Sequence, residues 1–599
     1  MNKIVAVAAM WLTLAVSGVA SAAPTETQRL NAFFERVFER SLMRSPLRQT
    51  RLGLKTQQDR WDDISERRQL EDVELVRGDL EGLRRFDFAK LDSTAQLSYR
   101  LFERNSREAL RAYEWRHSGY LITQMGGLHR RVATTLLNEH SIAERADAEA
   151  YIARLRGVRP LMMELVSQLQ TQASKGVQPP RFVYDLTLSE AENLLKGRPF
   201  EDVASDGPVL ADFRAKLAQA KFPGADAQGL LKQAEAALLE GFGPGYRALI
   251  AELRRAQTSA TDADGVWKLP KGADYYRFCI ESYTTLPLTP AEIHALGLKE
   301  VARIHDDMRA IMKQVGFTGS LQAFFTHMRE DLRYYYADSA EGRAQYLKDA
   351  DALLQVVKGR QLHVVSRVPK ADVVVKPVPA WREKSSAKAY YHNPSEDGVR
   401  PGVFYINLYD MKAQPRYLLP VVLYHEAIPG HHLEVAISYE LAGLPRFRKL
   451  NSVASYSEGW GLYTERLAAE MGLYQDPYQQ FGRLTMELMR AARLVVDTGL
   501  HDQRWSREQA VAYLDANMPG SHYDNQREID RYIVLPGQAT SYSVGMLKII
   551  ELRERAQRAL GKRFQLTRFH DIVLGSGPLP LPMLEENVDA WIKAERGRE

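Results

Sequence analysis

Apolar residues recur at helical spacing through most of this chain, and one stretch breaks the pattern. That limits the fold to a mainly α-helical one with a small β-sheet. Arg67–Arg85, Ser93–Arg116, Ala146–Ala173 and Ala225–Ala256 carry apolar residues on one helical face with charges between them. Thr289-Pro290-Ala291-Glu292 has the form of a capping box, with Thr as N-cap, Pro at the first helical position and Glu at the third. The helix it opens runs to about Val315. Between about 361 and 408 the character changes. Val364-Val365, Val373–Val375, Ala389–Tyr391 and Val403–Leu408 are β-branched or aromatic runs punctuated by Pro and Gly, and read as a small sheet. Helical patterning resumes at Tyr417 and continues to the end.

The first 22 residues have a basic start, an apolar run from Ile4 to Val19 and a small-residue pattern around Ala20–Ala23. This reads as a secretory signal cut after Ala22, and places the mature protein across the inner membrane, in the periplasm. A membrane anchor is the rival reading, but the run is short for a span of roughly 20 residues. No other run is long and apolar enough to cross a bilayer. Residues 23–256 form an N-terminal helical region, 257–271 a linker or exposed loop of small polar residues, and 272–599 a C-terminal region. The one cysteine, Cys279, excludes an internal disulfide, lies far from the signal cut where a lipid would attach, and reads as buried and structural. The 80 basic and 75 acidic residues interleave, which excludes a nucleic-acid footprint.

The chemistry concentrates in His425-Glu426-Ala427-Ile428-Pro429-Gly430-His431-His432. Zinc peptidases place two His four residues apart on a helix, with a Glu beside the first. Here Pro429 stands where the second His belongs. On a regular helix His431 would face about 120° away from His425, and His432 would share its face but lie roughly 10 Å further along. Pro429-Gly430 disrupts the turn, and a local bulge there lets His431 or His432 swing back to a shared cation. A catalytic zinc needs a third protein ligand and an open fourth position. Glu458, which starts a Glu-Gly-aromatic sequence downstream, is the candidate. Glu434 reads as a partner of an imidazole, and Glu465 as paired with Arg466 or another neighbour.

At these residues the chain resembles the bacterial family called domain of unknown function 885. His-Glu-Ala-Ile-Pro-Gly-His-His, Glu458–Glu465, Arg493–His501 and Leu535–Tyr542 carry the resemblance, which is densest from Tyr275 onward. It implies a zincin-like helical metallopeptidase with a deep substrate channel, one Zn2+ ion and peptide or small amide substrates. Helical carboxypeptidases carry Gly-His at the second ligand position, so the resemblance favours His431 over His432. The implied mechanism has zinc on His425, His431 and Glu458, with Glu426 as general base for the attacking water.

Tyr542 is the first candidate to stabilise the developing oxyanion, or else an amphipathic core tyrosine; His501 and Tyr532 are the reserves. Arg531 would bind a substrate carboxylate, or pair with Asp530 or Glu528. Arg493 and Asp497, four apart on a helix, read as a structural pair. Tyr405 and Asn407 lie in Gly402–Asn407, which either takes an extended peptide by edge addition or is an interior strand. Two other classes compete: a zinc hydrolase of a non-peptide amide or ester, and a non-catalytic periplasmic binding protein. Glu426 argues against the latter, since a binding-only site needs no base.

Overall fold

The structure is a computed structural model and describes residues 23–379, 383 and 387–597. The signal segment 1–22 lies outside the described residues. The chain is mainly helical with a small sheet. The N-terminal helices include α1 (Glu26–Met43), α2 (Ser93–Glu114), α3 (Arg145–Ser174) and α4 (Gly243–Gln257). Side chains close their starts where the sequence offers caps: Thr25 accepts from Gln28 N–H, and Asp92 from Ala95 N–H. The capping box at Thr289 is formed and opens α5 (Pro290–Gln314). The Ala225–Ala256 pattern is helical throughout, but it passes through a π-helical turn, Leu238–Phe242, before α4.

Three strands form the sheet: β1 (Val373–Pro377), β2 (Ala389–His392) and β3 (Gly402–Ile406). Their order is β1-β3-β2. β3 pairs parallel to β1, with Val373 opposite Gly402, and antiparallel to β2, with Tyr391 opposite Phe404. Val364-Val365 is buried but lies outside the strands. β3 is bonded on both edges, so it is the interior strand, and β2 is an edge that remains.

The C-terminal helices include α6 (Leu419–Glu426), α7 (His431–Glu440), α8 (Ala454–Glu470), α9 (Pro477–His501), α10 (His522–Val534) and α11 (Ser541–Leu560). α5 packs along α9, and α8 along α11. α9 buries Leu484, Leu488, Ala491 and Val495 in one core with Ile304 and Met308 of α5. Each fully buried Leu contributes about 1.5–3 kcal/mol. α8 and α11 cross backbone to backbone: a Cβ on Gly459 would lie 2.6 Å from Gly545 Cα. Glycine at both positions is therefore what brings the two helices this close.

The division at 257–271 needs correcting in part. Thr258, Ser259, Thr261 and Asp262 are exposed, but Asp264–Val266 and Leu269 are buried, because Val266 N–H donates to His501 Nδ1 and Gly265 packs against the Leu500 carbonyl. Nor is 23–256 one unit. Residues 122–260 build a core of their own, whereas Leu97 and Leu101 of α2 share a core with Trp460 and Tyr542. α1 reaches the C-terminal region too: Phe34 stacks on Phe447 at 4.7 Å, and Arg446 Nε donates to Glu35 at 2.6 Å. Among the described residues, no helix is long and apolar enough to cross a membrane.

Candidate metal centre

The break in the His425–His432 string is sharp. α6 ends at Glu426, the chain turns through Ala427–Gly430, and α7 begins at His431. A Cβ on Gly430 would stand 1.9 Å from the His425 carbonyl oxygen and 2.5 Å from that of Tyr424. Only glycine permits this doubling back. Trp460 Nε1 donates to the Pro429 carbonyl at 3.0 Å and clamps the turn. The two imidazoles consequently stand edge to face, centroids 4.8 Å apart.

Glu458 on α8 faces both. Its Oε2 is 3.6 Å from His425 Nε2 and 3.6 Å from His431 Nε2. One donor atom from each of the three residues lies within 4.8 Å of the others. The far nitrogen of each ring also faces a carboxylate. His425 Nδ1 is 2.8 Å from Glu465 Oε1, and His431 Nδ1 is 3.6 Å from Glu434 Oε2. Ser457 Oγ donates to Glu434 Oε1 at 2.7 Å. A carboxylate on Nδ1–H fixes the tautomer that leaves Nε2 free as a ligand.

The string Glu458–Glu465 now has a physical reading, residue by residue. Glu458, Gly461 and Glu465 share the helix face toward His425. A Cβ on Gly461 would come within 2.8–3.1 Å of the His425 ring, so glycine makes the slot the imidazole occupies. Gly459 makes the crossing with α11, and Thr464 Oγ1 donates to the Tyr424 carbonyl at 3.3 Å. Burial opposes protonation of His425 and His431, but Glu458, Glu465 and Glu434 outweigh it. Both imidazoles are raised, His431 well above its ordinary value. The same contacts, against burial, hold Glu458 well below the carboxylate range.

His432 is turned away from this cluster. Its Nδ1 accepts from the Tyr391 hydroxyl at 2.9 Å and its Nε2 donates to the Ala371 carbonyl at 3.0 Å. Burial pushes it down to about 4. As the alternative ligand it is corrected: it ties α7 to the sheet, because the turn that returns His431 to His425 points the next residue the other way.

A cavity of about 750 Å³ opens over the cluster. His425, Glu426, His431 and Glu458 line it, and so do Arg531 and Tyr542. Tyr391 and Tyr390 of edge strand β2 form another wall. Four further expectations are corrected. His501 is spent on backbone, donating from Nε2 to the Tyr532 carbonyl at 3.0 Å, and burial lowers it to about 4. The Tyr532 hydroxyl is buried between Glu528 and Arg493 Nε, the latter at 2.7 Å, and does not line the cavity. Tyr405 stacks on Tyr390 at 5.1 Å within interior strand β3. Asn407, just past that strand, donates to the Glu383 carbonyl and bonds through its own N–H to the Lys388 carbonyl. Neither can receive a peptide at a strand edge, since β3 has none.

Arg493 and Asp497 do not pair. Asp497 accepts from the Tyr276 hydroxyl at 2.6 Å and from Gly537 N–H at 3.0 Å, whereas Arg493 Nη2 donates to Glu528 at 3.0 Å. Arg490, which lines the cavity, is not singled out by the sequence. Glu465 was legible as the face-mate of Glu458, seven residues on. Arg490 precedes Arg493 by three residues on α9 and so shares its face.

The family model for the bacterial proteins of unknown function DUF885 matches residues 46–588. The chain belongs to this family. Two solved structures, each described as that of a "putative lipoprotein", resemble this DUF885 member. The one from Colwellia psychrerythraea is 30% identical, with a TM-score of 0.89 over 96% of this chain and 100% of its own. The one from Shewanella oneidensis, described as of unknown function, is 16% identical, with a TM-score of 0.71 over 94% and 99%. The second likeness shows the fold alone. No curated protein matches this DUF885 chain.

Proposed function

We propose that the protein is a zincin-like, zinc-dependent peptidase that hydrolyses peptide bonds in small peptides. One observation carries the reading: two imidazole Nε2 atoms each stand 3.6 Å from the same Glu458 oxygen. Donors at about 2.0–2.2 Å from a tetrahedral zinc are themselves separated by roughly 3.3–3.6 Å, so His425, His431 and Glu458 fit the ion. Three protein donors leave one position open, as in catalytic sites, and the Glu458 side chain is 26% exposed on the cavity side.

When bound, zinc supplies Lewis acidity, polarising a carbonyl and lowering the pKa of water toward about 7. Glu426, next to His425 in the chain and lining the same cavity, takes the proton of the attacking water and hands it to the leaving amine. The Tyr542 hydroxyl in the cavity wall donates to the developing oxyanion. An extended peptide pairs with edge strand β2, whose Tyr390 and Tyr391 line the cavity. The cavity volume suits a short peptide and excludes a folded chain.

The test is elemental analysis of the purified protein together with a peptide library assayed on wild type and Glu426→Gln. Zinc near one ion per chain and cleavage abolished in the variant are expected. A metal-free wild type overturns the reading. Cleavage confined to an ester or non-peptide amide panel reassigns the substrate to that class.

We also propose export to the periplasm, on the signal-like first 22 residues and on the description of both similar structures as lipoproteins. Fractionation with N-terminal sequencing tests the export.

A further inference from the structure

The wall of the cavity contributed by α9, α10 and α11 has a charge problem that the metal centre does not explain. Arg490, Arg493 and Arg531 all line it, together with Tyr542. Arg493 Cζ lies 4.7 Å from the centroid of the Tyr542 ring and Arg490 Cζ 5.7 Å. Arg531 Nη2 donates to the Tyr542 hydroxyl at 3.4 Å and to Gln538 Oε1 at 2.7 Å. The carboxylate serving this group is Glu528, which accepts from Arg493 Nη2 at 3.0 Å and stands 4.0 Å from Arg531 Nη1. Burial works against that carboxyl, yet the two arginines hold it at about 2. Arg493 and Arg531 thus share one counter-charge, and Arg490 has no ion pair among the described residues.

Two of the three also have unspent donors. Arg493 is 4% exposed and Arg490 6%. Among the described residues, Arg493 Nη1 and Arg490 Nε have no hydrogen-bond partner. A buried charged donor without a partner is costly, and a fold keeps it where a ligand completes it. The cavity's other lining Arg and Lys residues, Arg51 and Lys449, lie outside this wall, and every acidic residue lining the cavity belongs to the metal cluster or its base. The arginine wall is therefore short of an anion.

We propose that this wall is a carboxylate-binding subsite, and that the substrates are short peptides bearing a free carboxylate, held by Arg490, Arg493 and Arg531 while the metal centre acts on a neighbouring bond. Guanidinium forks match the planar carboxylate and bind it through paired charge-assisted bonds. The substrate class rests on the peptidase reading; the anion subsite does not. The carboxylate has two possible sources, a C-terminus or an acidic side chain. A C-terminal source makes the enzyme an exopeptidase that measures from the chain end.

Calorimetric titration of the full-length Glu426→Gln protein separates these outcomes without turnover. The probes are N-acetyl-Ala-Ala-Ala as the free acid, the same peptide as its C-terminal amide, and N-acetyl-Ala-Glu-Ala amide. The free acid should bind about tenfold or more tighter than the neutral amide. Equal affinity for all three probes, or no binding of any probe, overturns the subsite. Preference for the glutamyl amide over the neutral amide, without preference for the free acid, moves the source to a side chain. Arg531→Gln and Arg490→Gln should erase most of the acid preference while leaving zinc content unchanged. The comparison of acid with amide stands alone if either variant misfolds. Wild-type enzyme that cleaves the free acid, the neutral amide and the glutamyl amide equally sinks the subsite and keeps the peptidase. Acid-selective binding without any cleavage keeps the subsite and sinks the peptidase.

Discussion

Two walls of one cavity are built from charged residues in opposite ways. On α6, α7 and α8, His425, His431 and Glu458 converge on one another, and Glu434 and Glu465 stand behind the rings. Each ring nitrogen there faces a carboxylate, although Glu434 Oε2 and Glu465 Oε2 carry no hydrogen bond among the described residues, and the gap at the centre suits a cation. On α9, α10 and α11, three arginines surround a tyrosine, and two of them, Arg493 and Arg531, share Glu528. Two of their buried donors, Arg493 Nη1 and Arg490 Nε, have no hydrogen-bond partner among the described residues. The first wall is compensated within the protein. The second is compensated only by what enters. A metal site must hold its ligands before the ion arrives, whereas a substrate site gains selectivity by leaving a deficit that the right substrate fills.

The contrast breaks first at Glu426. Glu426→Gln should lower peptide hydrolysis by about 10²–10⁴-fold with zinc content unchanged, as steady-state kinetics and elemental analysis would register. If activity and zinc fall together, Glu426 belongs to the ligand set and the division of labour on the first wall is wrong.

Next comes the pair of adjacent histidines. His431→Ala should strip the bound metal, while His432→Ala should keep it and instead destabilise the fold by about 1–3 kcal/mol, since it unpairs the Ala371 carbonyl and the Tyr391 hydroxyl. Metal analysis and chemical denaturation of both variants read this out. A metal-free His432→Ala protein with a normal denaturation midpoint contradicts the assignment.

A milder effect sharpens the first wall. Glu465→Gln should weaken metal affinity by roughly 10–100-fold, because the His425 ring loses the carboxylate that orients it. Competition with a chelator measures the change. An unchanged affinity would make Glu465 a purely structural partner.

The smallest effect lies beneath the second wall. Asp497 accepts from Gly537 N–H, in the turn whose next residue, Gln538, accepts from Arg531. Burial raises the Asp497 carboxyl to about 7. A raised carboxyl favours the folded state fully below the ordinary carboxylate range, and that contribution is lost as pH climbs through about 7. Wild type should therefore lose stability relative to Asp497→Asn between pH 5 and pH 8. The difference in Tm between the two should shift by ~2 °C in favour of the variant. A constant difference across that range would mean that Asp497 is ionised throughout.

Much of the scaffold was readable from local chemistry. The capping box at Thr289, the helical patterning from Tyr417 onward and the β-branched or aromatic runs at Val373, Ala389 and Val403 act within a few residues of themselves, and the structure has all three. The place where the His425 helix must break was also readable, because Pro429-Gly430 cannot continue it. What lay beyond reach was each outcome set by distant partners. The choice between His431 and His432 depends on Ala371 and Tyr391 from the sheet. His501 is spent on Tyr532 and Val266, and Arg493 turns from its own helix to Glu528.

The amino-acid order alone thus settled the helical class, the small sheet and the short list of groups able to hold a metal, since periodicity and backbone stereochemistry are local properties. Tertiary packing chose among those groups and assembled the arginine wall. Imidazole, carboxylate and guanidinium groups take their roles from whichever partners close packing brings within about 3–4 Å, and those partners are up to hundreds of residues away in the chain.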